Sequence, residues 1–575
     1  MVEKVIRRRS AKFDRSLDDL NLHPLLTRIY CARGVAVDQL DLGLEHLIPP
    51  EELLGIVKAA GLLADALIAN ARVLVVGDFD ADGATSTTVA ISALKQFGLE
   101  DIAYLVPNRF EYGYGLTPEI VELAKASHPD LIITVDNGIS SLEGVRVARE
   151  AGISTLITDH HLPGRELPEA DVIVNPNQPG CAFPSKNLAG VGVIFYLMLA
   201  LRSELRRRGC FDQQTEPNLG QFTDLVALGT VADVVPLDRN NRILVNAGLR
   251  RIRAGKARPG IRALLDVASR NLTSVVASDL GYAVGPRINA AGRLDDISIG
   301  IECLLSEDLA RAASLAKQLH QLNQDRRLIE HDMQAEALQA LGEINLLSTD
   351  ELPMAMTLYR GGWHQGVIGI LASRIKDRIH RPTIAFADAE GGEIKGSARS
   401  IPGIHVRDIL DAVAARNPGL ITRFGGHAMA AGLTMARADY ERFAQAFLEE
   451  VERHAQDVEL SAVIESDGEL AEQDFDLNLA KALRFAGPWG QHFPEPVFDG
   501  IFQLVNQRLV GEKHLKMALF PADGSTLLDA IAFNVDPHRW PDHSVERIKV
   551  AYRLDVNEFR GQQRLQLVVE HFEPA

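Results

Sequence analysis

The stretch RVLVVGDFDADGATS, Arg72 to Ser86, decides how this chain is read. Its apolar part, Val73 to Val76, is too short for a helix and stops at a glycine and acids, the pattern of a strand buried on both faces of a parallel sheet. Asp78, Asp80 and Asp82 then fall at alternate positions, which in an extended chain point to one side. Gly83 permits a sharp turn into ATSTTVAISALKQFG, which reads as a helix.

The same unit recurs downstream. LIITV (Leu131–Val135) ends at Asp136-Asn137-Gly138 and is followed by the helix-like SLEGVRVAREAG. ISTLIT (Ile153–Thr158) ends at Asp159-His160-His161. Short apolar runs alternating with helices predict an α/β domain built on a parallel sheet. Ligands of such sheets bind beyond the carboxyl ends of the strands, where all these acids and histidines fall. That much like charge is destabilising unless neutralised. A carboxylate and imidazole set without sulfur suits Mn²⁺ or Mg²⁺. Two such ions, bridged by one carboxylate, make a phosphoryl-transfer centre. Asp233, in the apolar LVALGTVADVVP, needs a partner, either a cation or a salt bridge.

Working outward, Glu302 to Leu341 is charged and helical, without Gly or Pro from Leu304 to Leu341, and reads as a helix joining two lobes. A second α/β block runs to about residue 455, and from about Ser466 the chain turns into short strands that suit a small β-barrel. At 575 residues three or four domains are expected. The four scattered cysteines, without a C-x-x-C pair, argue against a zinc ribbon or disulfide framework and fit a reducing cytoplasm. The start is basic but is followed by no apolar stretch, so no signal peptide is expected. Leu188–Leu201 is apolar but shorter than the roughly 20 residues of a membrane span, so a buried helix in a soluble protein is expected. A net charge of −17 weighs against indiscriminate polyanion binding, although Arg250–Arg262 gathers six basic residues and no acid.

GDFDADGATS, VPNRFEYGYGL, ITVDNGIS and TDHH, in this order, resemble the DHH phosphoesterase superfamily. The likeness continues through LVALGTVADVVPL, GPRINAAGRL, GWHQGVIGILASRI, GSARS and FGGHAMAAGL, covering nearly the whole chain. The resemblance implies an N-terminal segment (1–69) packing on a parallel-sheet DHH catalytic domain (70–300), then a connecting helix (301–345), a DHHA1 α/β domain that binds substrate (346–460) and an OB-like nucleic-acid-binding barrel (465–575). It implies metal ligation by Asp80, Asp82, Asp136, His160 and Asp233, with Asp136 between two Mn²⁺ or Mg²⁺ ions. Asp78 and His161 join the cluster, and which of them touches metal stays open; Asp159 orients a histidine. The chemistry is thereby assigned to Asp136, His160, His161 and Asp159. The implied activity is 5′→3′ exonucleolytic degradation of single-stranded DNA to mononucleotides, in recombination and repair. The implied partners are single-strand DNA-binding protein and a RecQ-type helicase, around a cytoplasmic monomer with no membrane association.

The remaining motifs are suited to gripping a strand. Arg109, Arg287 and Arg293 offer guanidinium groups to phosphates, with Asn289 between the last two. Tyr112 and Tyr114 are suited to stacking on bases. Ser397 and Arg399 in GSARS, and Gly425, Gly426 and His427 in GGHAMAAG, sit in glycine-rich settings that let backbone approach a phosphate; His364 is a further candidate. Three rival readings are a small-molecule phosphatase, a non-catalytic strand-binding scaffold and a structural Ca²⁺ module. They are disfavoured respectively by the extra domains, by the full set of acids and histidines, and by ligands drawn from separate strands.

Overall fold

The computed structural model describes residues 4–10, 22–107, 112, 114–211, 216–343, 352–455, 460–522, 524, 526–559 and 561–575. The chain forms two compact units: residues 9–323 with 467–575, and residues 1–8 with 324–466.

In the first unit, five parallel strands make one sheet in the order Ile102–Leu105, Val73–Val76, Leu131–Val135, Ser154–Thr158, Val172–Val174. Counted along the chain this is 2-1-3-4-5, a doubly wound order whose direction reverses between the first and third strands. The crevice expected there lies beyond Val76 and Val135, where the acids begin. Alternate residues explain why both faces are apolar. Val73, Val75, Ile133 and Val135 pack in one core with the helices Ala81–Gln96 and Gly190–Arg207, whereas Leu74, Val76 and Ile132 pack in another with Pro118–Lys125 and Leu142–Glu150. The apolar segment Leu188–Leu201 is thus the buried start of a core helix, as expected. Among the described residues no helix is long and apolar enough to cross a membrane.

The same unit contains a closed five-stranded barrel, in the order Phe498–Val510, His514–Pro521, Leu528–Ala532, Gln562–Pro574, Arg547–Phe559. One of its pairings is parallel, between Leu528–Ala532 and Gln562–Pro574, and the rest are antiparallel. Closure removes exposed sheet edges, and Phe498, Phe502 and Tyr552 fill the interior.

The second unit is a mixed five-stranded sheet in the order Arg423–Gly426, Ala430–Ala436, Glu393–Arg399, Thr383–Asp388, Met356–Tyr359, carrying the helices Ile368–Ile379, Val406–Arg416 and Tyr440–His454. Lys4–Arg8 pairs in parallel with Ala462–Ser466, so the first strand of the chain belongs to this unit; Pro24–Ala32 and Ile56–Ile68 bury their apolar faces in the core of the first. The predicted joining helix is Leu309–Glu343, 35 residues long.

Candidate active site

Each acid of the crevice is placed by backbone geometry. The expectation of an extended run through Asp78, Asp80 and Asp82 holds only to Asp80. There the chain turns, because the Asp80 carboxylate caps the helix Ala81–Gln96 by accepting from the N–H groups of Asp82 (2.9 Å) and Gly83 (3.0 Å). Asp82 therefore sits in the first helical turn, nearly inaccessible, and its carboxylate accepts from the N–H groups of Gly190 (2.7 Å) and Val191 (2.9 Å) at the start of Gly190–Arg207. Asp136 lies just past its strand with φ of 63°, a left-handed conformation unusual for a residue with a side chain and one that re-aims its carboxylate. Asp233 ends the helix Thr223–Ala232.

These elements bring together two trios of potential ligands, Asp78–Asp80–Asp136 and Asp82–His160–Asp233, each with one donor atom per residue within 4.8 Å of the others. His160 Nε2 links the trios, 3.2 Å from Asp136 Oδ1 and 3.5 Å from Asp233 Oδ2. Asp136, His160 and His161 form a third such group. The residues fit divalent cations on physical grounds. Asp136 Oδ1 and His160 Nε2 are buried with no hydrogen-bond partner among the described residues. The carboxyls also hold their protons unusually tightly: burial and the charge of Asp233 push Asp82 up to about 7, and burial and Asp80 push Asp233 up to about 8. Burial and the charges of Asp82, Asp80, Asp78 and Asp233 raise Asp136 well above the carboxylate range. A cluster that resists ionisation this strongly needs cations to become anionic, and a donor set of oxygen and nitrogen without sulfur favours hard ions.

The Asp159–His161 pair is arranged differently. Asp159 accepts from three backbone N–H groups, those of Ile139 (2.9 Å), His160 (2.7 Å) and His161 (3.1 Å), and lies 2.8 Å from His161 Nδ1. Burial draws the His161 pKa down, but the hydrogen bond and charge of Asp159 outweigh it and hold the ring at about 9. The Tyr114 hydroxyl lies 3.1 Å from His161 Nδ1 and 3.1 Å from the Asp136 carbonyl oxygen, to which it donates.

Sequence reasoning missed several supports. Asn175 and Asn177 donate to the carbonyls of His161 (3.0 Å) and His160 (2.6 Å), fixing the turn that carries both rings. Their only signal is the N-P-N that follows the next apolar run. Gly190 approaches Asp136 so closely that an added Cβ would lie 2.5 Å from Oδ1.

The expected strand contacts divide. Arg287 is buried, directing its guanidinium to His320 Nδ1 (3.0 Å) and the Ala283 carbonyl; Asn289 Oδ1 accepts from the Ala81 N–H (2.7 Å). GPRINAAGRL thus braces the acidic loop, and Gly292 lets its helix press against the Phe79 carbonyl. Arg293, in the last turn of that helix, is half-buried. Tyr112 packs against an apolar core, and Arg109 lies outside the described residues. In the second unit, Ser397 and Arg399 share one face of their strand, joined at 3.1 Å, against the first turn of Ile368–Ile379, where Gly369 leaves room for both. His364 Nδ1 accepts from the Gly366 N–H (3.0 Å) just before that helix. Gly426 and His427 form the hairpin between Arg423–Gly426 and Ala430–Ala436, the His427 N–H donating to the Ala430 carbonyl (2.8 Å), and Gly425 faces open space. Part of the basic run Arg250–Arg262 is internal: the Arg251 guanidinium (3.7 Å) and the Arg258 N–H (2.9 Å) meet the buried Asp224.

Comparison with known proteins agrees with this architecture. Family models match at residues 72–230 (DHH family, N-terminal domain), 353–456 (DHHA1 domain) and 466–571 (RecJ OB domain). The single-stranded-DNA-specific exonuclease RecJ of Dickeya dadantii is 55% identical over 570 residues, 99% of each chain, and that of Escherichia coli K12 is 52% identical over 577 residues, the full length of both. The crystal structure of RecJ in complex with Mn²⁺ from Thermus thermophilus superposes with a TM-score of 0.81 at 29% identity, covering 99% of this chain and 80% of that one. A second crystal structure, of an exonuclease RecJ bound to manganese, is 34% identical with a TM-score of 0.59, over 71% of this chain and 98% of the other. With three domains in this order and this level of identity along its whole length, the chain belongs to the RecJ family of DHH proteins.

Proposed function

We propose that this chain is a metal-dependent exonuclease that degrades single-stranded DNA in the 5′→3′ direction to mononucleotides, in recombination and repair. The observation that carries the reading is the pair of ligand trios at the switch point of the sheet, linked by Asp136 and His160. Asp78, Asp80 and Asp136 would hold one Mn²⁺ or Mg²⁺, and Asp82, His160 and Asp233 the other. Cations bound there supply positive charge for the phosphate oxygens and lower the pKa of an attacking water.

The chain's own groups do the rest. Backbone N–H groups at two helix starts fix the carboxylates of Asp80 and Asp82, leaving little reorganisation for the reaction. Asp159 keeps a proton on His161, and Tyr114 ties that ring to the Asp136 backbone, so a proton donor stands beside the carboxylates. Arg287, Asn289 and Gly292 act as positioning residues behind the acidic loop. In the second unit, Ser397, Arg399, His364 and Gly425 are the candidates to hold a substrate phosphate, at the start of a helix. The barrel is the candidate strand-binding surface. Partnership with single-strand DNA-binding protein and a RecQ-type helicase, a monomeric state, a cytoplasmic location and the domain limits expected above belong to the same reading.

The test is a single strand labelled at either end and incubated with Mn²⁺, beside a blunt duplex. Release of labelled mononucleotide at once from the 5′ label and late from the 3′ label is expected; equal digestion of the duplex rejects the specificity.

A further inference from the structure

A cavity of about 270 Å³ lies in the first unit, lined in part by Pro236 and Leu237, a few residues after the metal-site candidate Asp233. Its wall includes Arg33, Arg239, Arg242 and His492, with Asp238 the one acid. In a chain of net charge −17, three guanidinium groups around one small cavity are an anomaly.

Two of the three have partners. Arg33 is paired with both carboxylate oxygens of Asp467, at 2.8 and 3.0 Å, and Arg239 reaches the Asp38 carbonyl at 2.6 Å. Arg242 has none: the residue is 6% exposed, its side chain makes no hydrogen bond or ion pair among the described residues, and its Nε is sealed from solvent. The guanidinium carbon instead lies over the Phe493 ring, 4.3 Å from its centre. Asp238, one turn before it, lends Arg242 its charge but no hydrogen bond, because its oxygens cap the helix Arg239–Arg253 through the Asn241 N–H (3.0 Å) and accept from the Ser185 hydroxyl (2.7 Å). The start of that helix adds its own partial positive charge to the cavity. A guanidinium whose donors find no hydrogen-bond acceptor is costly to bury, and structures keep one where something else completes it.

We propose that this cavity is an anion site that takes a phosphate group, with Arg242 as the principal ligand and Arg239 beside it. Phosphate matches the planar fork of donors that Arg242 presents, and the fixed guanidinium pays no ordering cost on binding. The group can arrive on a free phosphomonoester or as a phosphodiester of a strand, and the two sources are separable by experiment.

The full-length metal-free protein is titrated with orthophosphate, with a deoxynucleoside 5′-monophosphate, and with a single strand lacking terminal phosphates, following Tm and heat. Each titration is repeated with Arg242→Met and Arg239→Gln. Without ligand, R242M is expected to melt at or above the wild-type temperature, because it removes a guanidinium whose buried Nε has no hydrogen-bond partner. With orthophosphate, the wild type rises in Tm and R242M does not, its affinity falling about tenfold or more; R239Q gives a smaller loss. A crystal soaked in tungstate should show anomalous density within hydrogen-bond reach of Arg242. Preference for the monophosphate identifies a free ligand, and preference for the strand a backbone contact. A markedly lower Tm for ligand-free R242M, equal phosphate responses in all three proteins, or tungstate bound elsewhere with none beside Arg242 overturns the proposal.

Discussion

His160 Nε2 stands 3.2 Å from Asp136 Oδ1, both buried, and neither atom has a hydrogen-bond partner among the described residues. Two polar atoms left so close and unsatisfied mark the place where the fold expects something cationic. Asp136→Asn keeps the shape and removes the charge. In EDTA this variant is expected to melt higher than the wild type, since an amide needs no proton to sit beside Asp82, Asp80 and Asp78, whereas the Asp136 carboxyl must take one up on folding. With Mn²⁺ the order reverses, because its metal-dependent rise in Tm is lost. Nuclease activity falls by at least about a hundredfold, more than is usual for groups that merely support ligands. Thermal melts with and without metal, beside a nuclease assay, check both signs.

The same uptake of protons makes stability depend on pH. Asp82 and Asp233, pushed up to about 7 and about 8, bind protons more tightly in the folded chain than in the unfolded one. Their protonation stabilises the metal-free fold below the ordinary carboxylate range, and that stability is lost as pH rises through about 7 and then 8. Metal binding needs the deprotonated forms. The Mn²⁺-dependent increase in Tm is therefore expected to be small near pH 5.5 and large at pH 8.5. A metal effect that is flat across this range contradicts the assignment.

Asp159 makes a second, oppositely signed test. It holds His161 at about 9, so their pairing stabilises the fold fully below the ordinary histidine pKa and is lost as pH rises through about 9. Asp159→Asn is expected to cost about 1–3 kcal/mol near pH 6 through the weakened bonds to three N–H groups and the ring. The gap from wild type narrows above pH 9. Histidine NMR in the metal-free protein should show the His161 pKa falling toward its ordinary value.

The strands that carry the acids were legible because burial on both faces leaves an uninterrupted apolar run: LIITV coincides with Leu131–Val135, and Val73–Val76 lies inside RVLVVG. The site was legible for the same reason, since strand ends converge at one sheet edge. Other features depend on contacts distant in sequence, which local pattern does not encode. Nothing in Lys4–Arg8 announces its pairing with Ala462–Ser466. The inward turn of Arg287 depends on His320, and the left-handed Asp136 has no glycine to signal it. The three-residue strand Val172–Val174 is too short to show a period.

In the second unit, adjacent glycines in FGGHAMAAG are expected to behave differently. Gly426 has φ of 143°, and an added Cβ would lie 2.4 Å from the Ala430 carbonyl oxygen, whereas Gly425 has nothing within 4 Å. Gly426→Ala should therefore lower Tm by several degrees, as strain and a backbone clash require. Gly425→Ala should leave Tm unchanged and raise KM for single-stranded DNA, because the added methyl fills only the space proposed for substrate. Equal effects of the two on Tm would remove Gly425 from the candidate grip.

Gly190 offers the sharpest separation of fold from site. Its N–H donates to Asp82 Oδ2 at 2.7 Å, and its missing side chain makes room for Asp136, whose Oδ1, Cβ and Cγ would lie 2.5, 2.7 and 2.7 Å from an alanine Cβ. Gly190→Ala suits the helix it begins, since alanine is the better helix former. The clash falls on the Asp136 carboxylate, which must swing away from Asp78, Asp80 and His160. The variant is expected to fold with a native circular dichroism spectrum, to lose most of its Mn²⁺-dependent rise in Tm, and to lose activity comparably to Asp136→Asn. A Gly190→Ala protein that binds Mn²⁺ as the wild type does would mean that Asp136 has freedom to relax, and that the close packing around it does not hold the metal centre in place.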